Sequence, residues 1–308
     1  MSNSVQQAIH ELKQFRRKSK SSSIQRRLSF HIKELKKSLC NPLQSISLRV
    51  WLELYHNRVV RVVRVPWGEE PESRLINVAK TLIRGFLKDF RTLYLQGKAH
   101  GRITLDNIVV HKGTAMLINS QDLVGNLFTL KADFAAIATV IREMVGSYPC
   151  PKDLSHFLKI ILREEPPTGT LQAFIFNHPA FWSNNKIVRN VIAIKLSYCH
   201  CRVSNRTKWG DTASQIPKDV TVNWKSLVQN SSTYKAVFDG SPTNYDDLVD
   251  GLALLVFFRN CLLHAHKKRY ALTQHKIAAE LCHLFPDFMA HFIEKTYCIA
   301  DVREICMR

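Results

Sequence analysis

A single helical stripe constrains this chain more than any other feature. Between Glu72 and about Gly97, the residues Leu75, Val78, Leu82, Phe86, Phe90 and Leu93 recur at three- and four-residue steps. They therefore share one face of a helix expected over 72–97. One helix cannot cover its own apolar face, so other segments must pack against it. The chain, at 308 residues, is long enough to supply them and to form two domains. Val59-Val60-Arg61-Val62-Val63-Arg64-Val65 is dense in β-branched residues and reads as a strand, ended by Pro66-Trp67-Gly68. Short strands are expected at 107–111 and 114–118, and helices at 132–144 and 154–162. Pro166-Pro167 breaks the chain before another helix that ends near His178-Pro179. Helices dominate beyond it, interrupted by a polar region over 204–244. The expected fold is mainly α with small β.

Charge narrows the partners. Lys and Arg total 44 against 25 Asp and Glu, a formal charge of +19. Such an excess favours polyanions through counterion release, and RNA, DNA and anionic membrane all qualify. Basic clusters fill the N-terminal segment (Arg16-Arg17-Lys18, Arg26-Arg27, Lys36-Lys37), preceded by Val5, Ile9 and Leu12 at helical spacing. This arm reads either as a nuclear-import or RNA-tethering element or as a solvated tail. The excess extends beyond it, which favours a nucleic-acid partner. Eight cysteines show no Cys-x-x-Cys pair, and Cys199-His200-Cys201 is too tight for a zinc knuckle. They are expected to be reduced and mostly buried. No apolar run approaches the roughly 18–20 residues of a membrane span, and no signal-type core opens the chain. A cytoplasmic or nuclear protein is expected.

His100-Gly101-Arg102-Ile103-Thr104-Leu105-Asp106-Asn107 resembles the catalytic loop of a protein kinase, with the framework His and the metal-binding Asn position kept. In that resemblance the catalytic Asp position is Arg102, which stays charged and cannot accept a proton. The Asp-Phe-Gly position falls on Asn119-Ser120-Gln121, which offers no carboxylate to Mg²⁺. Only a short link separates it from Asp133, which resembles the structural Asp of the following kinase helix. The first glycine of the chain is Gly68, so no Gly-rich phosphate loop precedes this lobe. His100 and Asp133 are expected to brace a fold. Kinase activity is expected to be absent, with no bound cofactor and no metal.

Asn177-His178-Pro179-Ala180-Phe181-Trp182 resembles the junction between a kinase lobe and the nuclease domain of the kinase-extension nuclease (KEN) family. That family comprises the inositol-requiring-type kinase/endoribonuclease and ribonuclease L. Three later segments carry the same resemblance in order: Tyr245-Asp246-Asp247-Leu248; Phe258-Arg259-Asn260-Cys261-Leu262-Leu263-His264, similar to a catalytic Arg-Asn-x-x-x-His; and Phe285-Pro286-Asp287-Phe288-Met289-Ala290-His291. The resemblance covers about 70–308. After a basic segment at 1–48, it implies a truncated, degenerate protein-kinase-like C-lobe at 49–178 and an all-helical KEN ribonuclease domain at 179–308. It also implies pairing of two chains, either as a homodimer or with a related kinase/endoribonuclease.

The residue types suit metal-independent RNA cleavage, which needs a base for the 2′-OH, an acid for the leaving oxygen and donors for the phosphorane. His264 can serve as the acid. Arg259 offers a planar fork for phosphate, and Asn260 a neutral donor. Asn260 and His264, four apart, share one helical face, while Leu248, Leu252, Leu255, Phe258 and Leu262 would bury the other. The resemblance further implies a site tyrosine, either Tyr245, 14 residues before Arg259, or Tyr234, in Thr233-Tyr234-Lys235. The basic run after His264, with His266 and Lys267-Lys268-Arg269, could bind phosphate or simply end a helix. His291, between Phe288 and Phe292, reads as structural. The expected activity is thus an RNA endonuclease; a non-catalytic relative that binds RNA or regulates a full-length kinase/endoribonuclease is the alternative.

Overall fold

The structure, a computed structural model, describes residues 13–14, 25, 29, 45–55, 59–63, 72–165, 167–221, 223–264 and 273–307. The basic clusters of the N-terminal arm, Pro66-Trp67-Gly68, Pro166 and the run after His264 lie outside them. The described residues are mainly helical, with three small antiparallel sheets.

The first part of the chain runs β1 (Ile46–Ser47), α1 (Leu48–Tyr55), β2 (Val60–Val63), β3 (Glu72–Leu75) and α2 (Asn77–Leu95). It continues with β4 (Lys98–Ala99), β5 (Ile108–His111), β6 (Thr114–Leu117) and β7 (Leu123–Val124). Helices α3 (Leu127–Val145), α4 (Lys152–Ile161) and α5 (Gly169–Phe176) complete it. β1, β5 and β6 form one sheet, β2 pairs with β3, and β4 with β7. The second part is all helical: α6 (Asn184–His200), α7 (Val203–Ala213), α8 (Lys218–Thr221), α9 (Trp224–Gln229) and α10 (Ser232–Asp239), then α11 (Asp250–His264), α12 (Gln274–Leu284), α13 (Phe288–Thr296) and α14 (Ala300–Met307).

The long striped helix begins later than its sequence suggests. Val60 pairs with Leu75, and the Ile76 N–H donates to the Val59 carbonyl at 3.1 Å, so residues 72–75 are spent on a hairpin. Ile76 is extended and α2 starts at Asn77. Leu75 buries from a strand, Val78 is exposed, and the buried face of α2 is Ala79, Leu82, Ile83, Phe86, Leu87 and Phe90. Strand β6 crosses that face at Gly85, where a Cβ would lie 2.3 Å from the Ala115 carbonyl oxygen. Only glycine admits so close an approach of strand to helix.

The polar region over 204–244 is not an interruption; it folds into α7 to α10. Its few large aromatics do the packing, since Trp209, Trp224 and Tyr234 are buried among otherwise polar neighbours. Helix α11 also departs from expectation. Every residue from Gly251 to Phe258 is buried, so it is a central helix rather than a two-faced surface one. One hydrophobic core runs without a break from Leu48 to Cys306. Seven described cysteines are free: Cys150, Cys199 and Cys298 are exposed, Cys201 and Cys282 half-buried, and only Cys261 and Cys306 buried. The expectation of mostly buried thiols is therefore corrected. No described helix is long and apolar enough to cross a membrane.

Candidate active site

The C-terminal turn of α11 gathers three of the four expected site residues. Asn260, buried within the helix, donates from Nδ2 to the Tyr245 hydroxyl at 2.9 Å and to Ser241 Oγ at 3.1 Å. Its Oδ1 accepts from Arg259 Nη1 at 3.0 Å. The Arg259 bond fixes which end of the amide is oxygen. Both amide hydrogens and one oxygen lone pair are thereby used inside the protein. Asn260 thus acts as a clamp that orients Arg259, rather than as the free donor its sequence position suggests. The Arg259 Nε–H is buried without a hydrogen-bond partner among the described residues.

Tyr245 sits on the 3₁₀ turn Tyr245–Asp247, which Asn244 caps by accepting from the Asp246 N–H. Its ring stacks on Phe238 with centroids 4.9 Å apart and meets Trp224 edge-on at 5.7 Å. Burial raises the phenol's pKa above its ordinary value, and hydrogen bonds with Ser241 and Asn260 only partly offset this. The hydroxyl therefore keeps its proton at neutral pH and is no general base. Tyr234 belongs elsewhere: it is fully buried on α10 and donates to Glu280 Oε2 at 2.7 Å. Of the two tyrosines, Tyr245 is the one joined to Asn260.

His264 is the last residue of α11 and is exposed, one turn beyond Asn260. The following residues, with His266 and Lys267-Lys268-Arg269, lie outside the described residues. Ser241 has no counterpart in the sequence reading. It comes from the loop after α10, and no spacing signal connects it to Asn260. The aromatic wall of Trp224, Phe238 and Phe257 was equally hidden, because its members come from three helices.

His100 and Asp133 form a second polar centre. The Asp133 carboxylate accepts from the backbone N–H of His100 at 2.6 Å and of Gly101 at 2.9 Å. Burial raises its pKa against those two bonds. His100 Nδ1 accepts from the Arg102 N–H at 3.2 Å, so Nε2 carries the proton given to the Ile118 carbonyl at 3.1 Å. Asn107 donates to the Arg102 carbonyl at 2.9 Å. These side chains tie loop backbone together; Arg102 is exposed, and Asn119, also exposed, donates from Nδ2 to Asn107 Oδ1 at 3.4 Å.

Among the described residues, one cluster has metal-ligand composition: His156, His291 and Glu294, whose ligand atoms lie within 4.8 Å of one another. A chain of hydrogen bonds assigns its protons. The Ala180 N–H donates to His178 Nδ1 at 3.2 Å, and His178 Nε2 faces His156 Nδ1 at 2.9 Å. His156 Nε2–H then donates to Glu294 Oε2 at 3.1 Å, and Arg163 Nη2 meets Oε1 at 2.7 Å. The His156 nitrogen that faces Glu294 thus carries a proton, which a metal would have to displace. His291 packs edge-on against His156, with ring centroids 4.2 Å apart.

A scan against known protein families finds no match, and a search of curated proteins finds no similar sequence.

Proposed function

We propose that the protein is an endoribonuclease of the KEN type, cleaving RNA without a metal, behind a kinase-like lobe that has no phosphotransfer chemistry. The observation that carries this reading is the Tyr245–Asn260–Arg259 cluster at the end of α11, with His264 one turn further on the same helix. In it Arg259 is the phosphate ligand, with donors left over after its bond to Asn260. His264 is the general acid for the leaving 5′-oxygen, exposed at the helix end where RNA can reach it, and the 2′-OH proton passes to solvent water. Asn260, Tyr245 and Ser241 are positioning residues that hold the Arg259 fork. The first part of the chain, 49–178, is the truncated kinase-like lobe, in which His100, Asn107 and Asp133 brace backbone. Arg102 and Asn119 stand where proton acceptance and metal binding would be needed, and neither supplies a carboxylate. The excess of positive charge suits an RNA partner. By the family resemblance the active form is a pair of chains.

One observation favours a second reading, a non-catalytic relative that binds RNA or regulates a catalytic partner. Tyr245 is 4% and Asn260 6% exposed, so two of the four residues are closed to substrate. A cleavage assay separates the two. Stem-loop RNA incubated with the purified protein in EDTA should be cut to products ending in a cyclic phosphate. Specific activity should rise with protein concentration as chains pair. His264→Ala should slow cleavage by roughly 10²–10⁴-fold, the usual worth of a positioned general acid, with unchanged circular dichroism. A parent protein that leaves the RNA intact at every concentration establishes the non-catalytic reading instead.

A further inference from the structure

A cavity of about 520 Å³ opens between the two parts of the chain, far larger than side-chain packing requires. Its volume falls in the range of small-molecule sites. Strands β2 and β3 and the start of α2 form one wall; α6, α12 and the segment leading into α13 form the other. Ile76, Ile187, Phe285 and Met289 give it an apolar lining.

Its charged residues are unbalanced. Arg61, Arg74, Lys80 and Lys276 line it, against Asp153 and Glu280. Both acids are engaged: Asp153 with Arg74 at 3.3 Å, and Glu280 with the Tyr234 hydroxyl at 2.7 Å. Four cations against two carboxylates leave two positive charges uncompensated. Lys80 is the most demanding of these. Its ammonium is withdrawn from solvent and donates to the Trp182 carbonyl at 2.9 Å, next to the junction between the two parts. Burial lowers its pKa, and the charge of Asp153 only partly restores it. Arg74 is also incompletely satisfied. Its Nη1 reaches Asp153 and the Pro286 carbonyl, but Nη2 is buried without a hydrogen-bond partner among the described residues. Arg61 and Lys276 are exposed at its rim, whereas Arg74 and Lys80 are withdrawn into it, and buried cations are costly until an anion compensates them.

We propose that this cavity binds a small phosphate monoester with an apolar body. A phosphate monoester carries close to two negative charges at neutral pH, which matches the uncompensated charge, and the apolar lining takes the organic group. Its walls come from segments on both sides of His178, so the ligand clamps the first part of the chain to the second and stabilises their junction. This inference stands apart from the nuclease reading, because none of Tyr245, Arg259, Asn260 and His264 lines the cavity.

Hexyl phosphate is a suitable probe for the full-length protein, with hexanol and inorganic phosphate as controls that each keep half of the ligand's chemistry. Calorimetric titration should show saturable one-to-one binding of hexyl phosphate and a rise in melting temperature. Either control alone should bind at least about tenfold more weakly, since each loses one class of contact. Lys276→Glu places an acidic residue in the first turn of α12, where a helix tolerates it. It should weaken hexyl phosphate by about tenfold, the usual worth of a charged hydrogen bond. Lys131→Glu, exposed on α3 and outside the cavity, should leave binding unchanged. Non-saturable binding, or equal weakening by Lys276→Glu and Lys131→Glu, overturns the proposal. No RNA enters the assay, so its failure leaves the nuclease reading untouched.

Discussion

At the scale of single residues, the proposed chemistry turns on what each polar atom of Asn260 is already doing. With Tyr245 replaced by Phe, the Asn260 amide loses one of its two acceptors in a buried setting. A cost of about 1–3 kcal/mol is expected for the stranded donor. Arg259 should then be held less firmly, so RNA cleavage should slow along with the loss of stability. Tyr234→Phe removes the hydroxyl from Glu280 instead, and should lower stability without slowing cleavage by the folded fraction. Denaturant midpoints and single-turnover rates, measured on both variants, test the pairing; slower cleavage by Tyr234→Phe alone would reverse the assignment. The sequence discloses Arg259, Asn260 and His264 together because they occupy one stretch of helix, where spacing fixes direction. It leaves Tyr245 and Tyr234 undecided because their reach depends on how the loop between α10 and α11 closes. Ser241 is illegible for the same reason, since a serine beside a proline carries no mark of its distant partner.

At the scale of elements, periodicity was a good guide to existence and a poor one to boundaries. Helices α3 and α4 and strands β5 and β6 lie within a few residues of where the apolar pattern puts them. The start of α2 lies later than the stripe implies because Leu75 fits the helical stripe and a strand equally well, and only the pairing with Val60 decides. The stripe on α11 concealed a helix buried on all sides, since Ala253, Leu254, Val256 and Phe257 are apolar too. Glycines report contacts of this kind that patterns miss. In isolation Gly85→Ala should favour a helix by about 1 kcal/mol. Here the added methyl group meets backbone, the Ala115 carbonyl oxygen at 2.3 Å, which no rotamer change relieves. Strand β6 must move away from α2, and a net loss of about 1–3 kcal/mol is expected, typical of overpacking. A melting temperature equal to or above the parent's would show that the sheet moves freely and that the close approach is not required.

At the scale of the whole molecule, the two parts are joined by a buried polar chain as well as by a common core, and this chain makes the joint sensitive to acid. His178 on the junction contacts His156 on α4, which contacts Glu294 on α13, while His291 packs alongside. Burial holds the His178 pKa well below the ordinary histidine value and lowers that of His291. Both therefore hold protons less tightly when folded than when unfolded, where they titrate at about pH 6.5. The unfolded state then binds more protons, so stability must fall as the pH drops through that value. Glu294 extends the effect to lower pH. Burial alone would raise its pKa, but hydrogen bonds from His156 and Arg163 outweigh it and hold the carboxyl at about 2. Its contribution is complete above the ordinary glutamate range and is lost progressively as the pH falls from there towards 2. Urea midpoints should thus decline from pH 7.5 to 6 to 5 through the histidines, and further to pH 3.5 through Glu294. Glu294→Gln removes the group that titrates in the lower interval, so the variant should begin less stable at pH 7.5 and lose less between pH 5 and 3.5. A parent whose midpoint stays level from pH 7.5 to 5 would show that these histidines are not held neutral, and that the junction is not closed by the chain of hydrogen bonds described above.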